Sequence, residues 1–341
     1  MRIILEKYIA GCDIGGTWVR VAICKLELKD EEIIIKKERT LKEDKYSISS
    51  QICKLLKDLI KEKSLKREQL LGIGLATAGP VDIGKGILFN NANLGFREIP
   101  LKNPIKEKFP EIPLYLINDG NAGVIGVHYF EALEKEKNNL AYITMSTGIG
   151  GGVICNGNLL LGKDGNATEI GHLILQPNSK YLCNCRAYGC WEVFSSGTGI
   201  KNRTIDAFHE GKLNGEKLLK LVKNNKSNIT AKEVFQAARD GDKLSLKIID
   251  NCVLYSKIGV GSVNNNYDCE SIYFGGALIE NEEQIITPLR KQFKNDPIKY
   301  TVNRPPNIKI SKYKSEIGIR GALAYIKYIL QKNSVVAFCS N

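Results

Sequence analysis

The stretch AYITMSTGIGGGVIC, Ala141 to Cys155, decides the fold. Its apolar ends read as two strands, with Ser146-Thr147-Gly148-Ile149-Gly150-Gly151-Gly152 as a glycine turn between them. Four glycines in five positions exceed what a hairpin needs unless something approaches the main chain closely. The turn is neither a Walker motif nor a Gly-x-Gly-x-x-Gly opening a helix, so P-loop and Rossmann readings lose ground. The same pattern stands about 135 residues earlier, where KYIAGCDIGGT is followed by WVRVAIC. Two glycine hairpins, each heading a region of strands and helices, predict two related α/β lobes.

Outward from these hairpins the pattern stays mixed. EEIIIKKERTL, LLGIGLATAGPV, IPLYLIND and SIYFGGAL read as strands. SISSQICKLLKDLIKEK and IGIRGALAYIKYILQK carry apolar residues at helical spacing. The SVVAFCSN tail after the last helix has no reading.

The chain has 341 residues, 43% hydrophobic and 25% charged, enough for two lobes with a real core. No run of about 18 apolar residues predicts a membrane span, and the N-terminus lacks the cleavage site of a signal peptide, so a cytoplasmic protein is expected. The net charge of +12 comes from lysines interleaved with acids, which read as solvated faces, and no basic stripe carries aromatics. Nucleic acid is therefore not expected as a partner, whereas the positive field suits an anionic small molecule. Seven of the ten cysteines (Cys12, Cys24, Cys53, Cys155, Cys252, Cys269 and Cys339) stand alone and read as small buried hydrophobes.

Four groups of residues carry chemistry. In Asp13-Ile-Gly-Gly-Thr17, Gly15 and Gly16 let backbone N–H groups reach a phosphate, Thr17 adds a hydroxyl, and Asp13 could hold Mg²⁺ through water. Asp119, in Asn118-Asp119-Gly120, falls where a strand ends and a helix begins; such a residue is either an N-cap or a general base that takes a proton from a sugar hydroxyl. Cys183, Cys185 and Cys190 form C-x-C-x₄-C, with His172 upstream in GHLIL. Three thiolates and an imidazole make a closed tetrahedral zinc site, structural because no position is left for a catalytic water. Glu169 and Glu192 flank these ligands; a metal knot would fix both carboxylates to accept hydrogen bonds from vicinal sugar hydroxyls.

GNATEIGHLIL followed by CNCRAYGCWEVFSSG resembles the E-x-G-H and C-x-C-x₄-C-x-E signature of the ROK family (repressor, ORF, kinase), and the resemblance covers nearly the whole chain. It implies an α/β actin-like ATPase (ribonuclease H-like) fold of two lobes about a cleft, with lobe closure excluding water from ATP and a hexose. The expected small lobe is residues 1–118 plus about 323–341, and the large lobe is 119–322 with the zinc loop. The resemblance makes Asp119 the catalytic base and Asn93, Asn118, Glu169, His172 and Glu192 sugar ligands, His172 also binding zinc. Gly15, Gly16 and Thr17 resemble one phosphate loop, Thr147 and Gly148 the other, and Gly275 and Gly276 the adenosine loop. Trp18, Thr77 and Arg186 depart from the family pattern; Arg186 stands where glycine is usual.

The expected activity is transfer of the γ-phosphoryl group of ATP, with Mg²⁺, to a hexose, glucose first. An N-acetylmannosamine or N-acetylglucosamine kinase is the alternative. A regulator of this family would carry a winged-helix domain of roughly 80 residues ahead of the first loop; twelve residues precede Asp13. A homodimer or homotetramer is the expected assembly.

Overall fold

A computed structural model describes residues 6–89, 94–211, 214–281 and 283–339, the side chains only as far as Lys332. The chain divides into two compact units: Met1–Glu134 with Leu159–Ala167 and Glu316–Asn341, and Lys135–Asn158 with Thr168–Ser315.

In the first unit β1 (Tyr8–Ile14), β2 (Trp18–Lys25), β3 (Ile34–Arg39), β4 (Leu70–Thr77) and β8 (Leu114–Asn118) form a five-stranded sheet of order β3-β2-β1-β4-β8. The first three strands pair antiparallel, and β1, β4 and β8 run parallel. A small sheet of β5 (Val81–Asp82), β6 (Ile87–Phe89) and β7 (Glu98–Pro100) leads into α2 (Lys102–Lys108). Helix α1 (Ser47–Glu62) buries Ile48, Ile52, Leu55, Leu56 and Leu59 in the core shared with β1, β2 and β4. Each is worth about 1.5–3 kcal/mol relative to exposure. That i, i+4, i+7 spacing is what makes α1 a helix with one apolar face, and Leu56→Ala would cost about 2–5 kcal/mol.

Two further helices cover this sheet. α3 (Asp119–Phe130) packs on α10 (Ile317–Cys339), and α10 lies over β1 and β4. A Cβ on Gly321 would strike the main chain of Ala122, so the two helices can close on each other only because that residue is glycine. This contact corrects the expected division at residue 118: α3 belongs with the first unit, and α10 joins it from Glu316 rather than from about 323. The unexplained tail continues α10 as far as Cys339.

The second unit repeats the sheet. β9 (Leu140–Met145), β10 (Ile149–Cys155), β11 (Asn158–Leu159), β12 (Ser271–Gly275) and β13 (Asn307–Ile310) stand in the order β11-β10-β9-β12-β13. β9 and β10 are antiparallel, and β12 runs parallel to both β9 and β13. Counted along the chain, both sheets have the order 3-2-1-4-5, which is the relatedness that the two hairpins predicted. The helices are α4 (Trp191–Ser195), α5 (Gly197–Glu210), α6 (Glu216–Leu221), α7 (Ala231–Arg239), α8 (Lys243–Tyr267) and α9 (Ile286–Asn295). A buried carboxylate braces this sheet: Glu136 accepts from Ser271 (2.7 Å), from Tyr273 (2.8 Å) and from Lys309. Most of the lone cysteines are buried as expected; Cys155 is half-exposed, and the Cys339 side chain lies outside the described residues. No helix among the described residues is long and apolar enough to cross a membrane.

Candidate active site

In the first unit the chemistry lies at strand ends. The turn between β1 and β2 closes through the Gly15 N–H, which donates to the Trp18 carbonyl at 3.0 Å. Thr40, just past β3, holds it from the side: its hydroxyl donates to the Gly15 carbonyl (2.7 Å) and its N–H to the Thr17 carbonyl (3.1 Å). Thr17 itself is exposed. Asp13 pairs with Arg20, its partner across β1 and β2, at 2.8 Å. Burial raises the Asp13 carboxyl above its ordinary range, and Arg20 pulls against that shift. Trp18 packs its ring under Lys37 and Arg39, 4.2 and 5.1 Å from the centroid, a cation–π arrangement that explains how an aromatic is accommodated here.

At the end of β8, Asn118 rather than Asp119 is the N-cap of α3. Its backbone is extended and its Oδ1 accepts from the Gly120 N–H at 2.8 Å. Asp119 is the first helical residue, half-buried, with Oδ1 also 2.8 Å from that N–H. The capping role that competes with general base is thus taken by the neighbour. Asn93 lies outside the described residues.

In the second unit the four glycines separate into different roles. Only Gly148 lies in the turn; Gly150, Gly151 and Gly152 are paired residues of β10. What approaches the strand is the chain itself: a Cβ on Gly151 would overlap the Ile170 side chain, and one on Gly171 would overlap the Ile149 carbonyl. These two glycines let the 3₁₀ turn Ile170–His172 lie flat on β10, which places Glu169 and His172. The close approach to the main chain that so many glycines implied is made, at Gly151, by the chain's own 3₁₀ turn.

The structure brings His172, Cys183, Cys185 and Cys190 together, with one donor atom of each within 4.8 Å of the others. Cys185 and Cys190 sulfurs are 3.6 Å apart, and Cys183 Sγ is 3.6 Å from His172 Nδ1. A tetrahedral zinc spaces its sulfurs about 3.8 Å apart and a sulfur and nitrogen about 3.6 Å apart, so the donor set fits that ion. Burial pushes the Cys183 thiol well up and the Cys190 thiol up to about 11, so a cation among them is what would favour the thiolates. The loop backbone is built for the cluster. Arg186, between the second and third cysteines, has φ of 72°, the left-handed region where glycine costs nothing and a side chain costs roughly 1 kcal/mol or more.

Glu192, at the start of α4, connects this cluster to the turn. Its Oε1 accepts from Cys183 Sγ at 3.0 Å and lies 4.0 Å from His172 Nδ1. Its Oε2 accepts from the Ile149 N–H at 3.3 Å and closes against Gly148. Glu169 has an exposed surface, yet the chain packed around its carboxyl desolvates it and raises it above the ordinary range, against the pull of His172. The start of α5 grips the same turn, with the Gly197 N–H on the Ser146 carbonyl (2.8 Å) and the Thr198 N–H on the Thr147 carbonyl (3.2 Å).

Beside that turn is a cavity of about 730 Å³, lined by Ser146 and Thr147, by α5, by the start and end of α7, and by Ala277–Asn281. Gly276, at φ 90°, turns the chain from β12 against the Met145 main chain, so Ala277 and Leu278, rather than Gly275 and Gly276, reach the wall. The sequence reading missed Thr198, Lys201, Lys232 and Arg239 in this wall. No spacing connects these helices; the one local signal is the Thr230-x-x-Glu233 capping box that starts α7.

The sequence matches the ROK family over residues 9–329. It is 31% identical to the glucokinase of Halalkalibacterium halodurans over 290 residues, 84% of this chain and 86% of the relative. A ROK family glucokinase from Streptomyces griseus, solved in complex with glucose and AMPPNP, superposes with a TM-score of 0.70 at 25% identity, covering 93% of this chain and 98% of that one. The ROK hexokinase from Thermus thermophilus, at 24% identity, shares the fold with a TM-score of 0.76 over 96% of this chain and 99% of its own.

Proposed function

The chain belongs to the ROK family, with its actin-like ATPase fold, and from that premise we propose that it is an ATP-dependent hexokinase acting first on glucose. The observation that carries this reading is Asp119, a half-buried carboxylate at the end of β8 whose helix-capping duty falls to Asn118. In the reaction Asp119 accepts the proton of the sugar 6-hydroxyl. That oxygen bonds to the γ-phosphorus while the bond from the γ-phosphorus to the β,γ-bridging oxygen breaks, and ADP leaves. Asn118, Glu169, His172 and Glu192, with Asn93, are the proposed hydroxyl partners of the sugar.

Gly15, Gly16, Thr17, Thr147 and Gly148 are the proposed phosphate ligands, with Gly275 and Gly276 turning the adenosine segment. Mg²⁺ bound with ATP would neutralise phosphate charge, and Asp13, steadied by Arg20, is the carboxylate to hold it through water. His172, Cys183, Cys185 and Cys190 would hold a structural zinc whose role is to fix the cysteine loop and the 3₁₀ turn, and with them the backbone that carries Glu169 and Glu192. A homodimer or homotetramer in the cytoplasm is the accompanying expectation, read by sedimentation and fractionation.

A sugar panel under ATP, reading ADP release, tests the activity. Glucose-dependent ADP release is expected, and a preference for N-acetylmannosamine or N-acetylglucosamine would move the assignment to the other kinases. No sugar-dependent release, together with no zinc by elemental analysis, would end it.

A further inference from the structure

We infer that the cavity of the second unit takes its nucleotide in one orientation, with Lys201 against the phosphates and Arg239 against the nucleoside. This rests on the ATP-dependent reading above. Two clusters of residues make up the wall. In one, Ser146 and Thr147 of the turn are bonded to Gly197 and Thr198 at the start of α5. Lys201 lies three residues beyond Thr198 on α5, so the two side chains share a helix face, and both line the cavity. Lys201 is half-buried and forms no ion pair among the described residues. An ammonium placed beside a turn of main chain, with no carboxylate to neutralise it, matches a phosphate oxygen.

The other cluster surrounds Arg239 at the end of α7. Its Nη1 donates to Asn281 Oδ1 (3.0 Å) and to Gln284 Oε1 (2.7 Å), and its Nη2 donates to Gln236 Oε1 (3.0 Å). All three acceptors are neutral amides. They fix the plane of the guanidinium and leave its charge uncompensated, which suits a flat ring lying on that plane. Apolar wall comes from Ala231 and Leu278. Lys201, Lys232 and Arg239 face a single lining carboxylate, Glu280, a balance that favours a polyanion over a neutral sugar.

Calorimetric titration of the whole chain with ADP and with adenosine tests the orientation. Lys201→Met should weaken ADP roughly tenfold or more and leave adenosine within about twofold, and Lys201→Arg should restore ADP. Arg239→Met should weaken both ligands. Melting curves check that each variant folds. Equal loss of ADP and adenosine in Lys201→Met, or no loss, overturns the phosphate assignment. Unchanged adenosine binding in Arg239→Met, or a wild-type protein that takes ADP but not millimolar adenosine, overturns the nucleoside assignment. A wild-type protein that binds neither ligand removes the ATP-dependent reading itself, and the orientation with it.

Discussion

The two glycine turns occupy the same place in two sheets of the same order, yet they are held by different means. The first turn is fixed by its own sheet: Thr40, one residue past β3, donates twice to its carbonyls. The second is fixed by distant elements, Glu192 beyond the cysteine loop and the first residues of α5. One repeat secures its turn with a neighbouring strand. The other uses a single carboxylate, Glu192, that touches both the turn and the cluster of His172, Cys183, Cys185 and Cys190.

Four substitutions or treatments probe this difference, from the largest expected effect downward. Asp119→Ala removes the proposed base, and kcat should fall by roughly a thousandfold or more with sugar binding retained. Near-normal turnover would show that the proton goes elsewhere. Stripping the metal with a chelator should reduce turnover roughly a hundredfold and open the 173–191 loop to protease, with recovery on adding zinc. Full activity in protein proven metal-free by elemental analysis would detach the second turn from the knot.

Glu192→Ala removes the acceptor of the Ile149 N–H while leaving the four donors, and KM for ATP should rise about tenfold with zinc still bound. An effect on sugar KM alone would mean the carboxylate serves the sugar and not the turn. Thr40→Val is the matching change in the first unit. It leaves one carbonyl without its hydroxyl donor at a cost of about 1 kcal/mol in stability, and KM for ATP should move only a few-fold. If this change proves as damaging as Glu192→Ala, the two turns do not differ as described.

How much could be read beforehand depended on how far the signal lay along the chain. The strands and α1 were legible because a two- or 3.6-residue period is a local property of sequence. The cluster of His172 with three cysteines was legible because the cysteines fall within eight residues, Cys183 to Cys190. The glycines were misjudged: Gly150–Gly152 looked like a loop, and only the position of Ile170 against Gly151 gives the steric reason for a small residue. Arg186 was legible as a departure, but its φ of 72° is what explains why glycine would suit that position. The division of the chain at residue 118 failed because α3 is contiguous with the second unit in sequence and bonded by packing to α10 near the other end.

The sequence by itself determined the repeated strand–turn–strand headings, the histidine and cysteine cluster and the strand-end carboxylate, since each is carried by residues close together along the chain. Only the tertiary structure decided that Asn118 is the cap, that Glu192 spans from cysteine knot to turn, and that Lys201 and Arg239 line one cavity. Those relations depend on hydrogen bonds and packing between residues tens of positions apart, and no local period records such contacts.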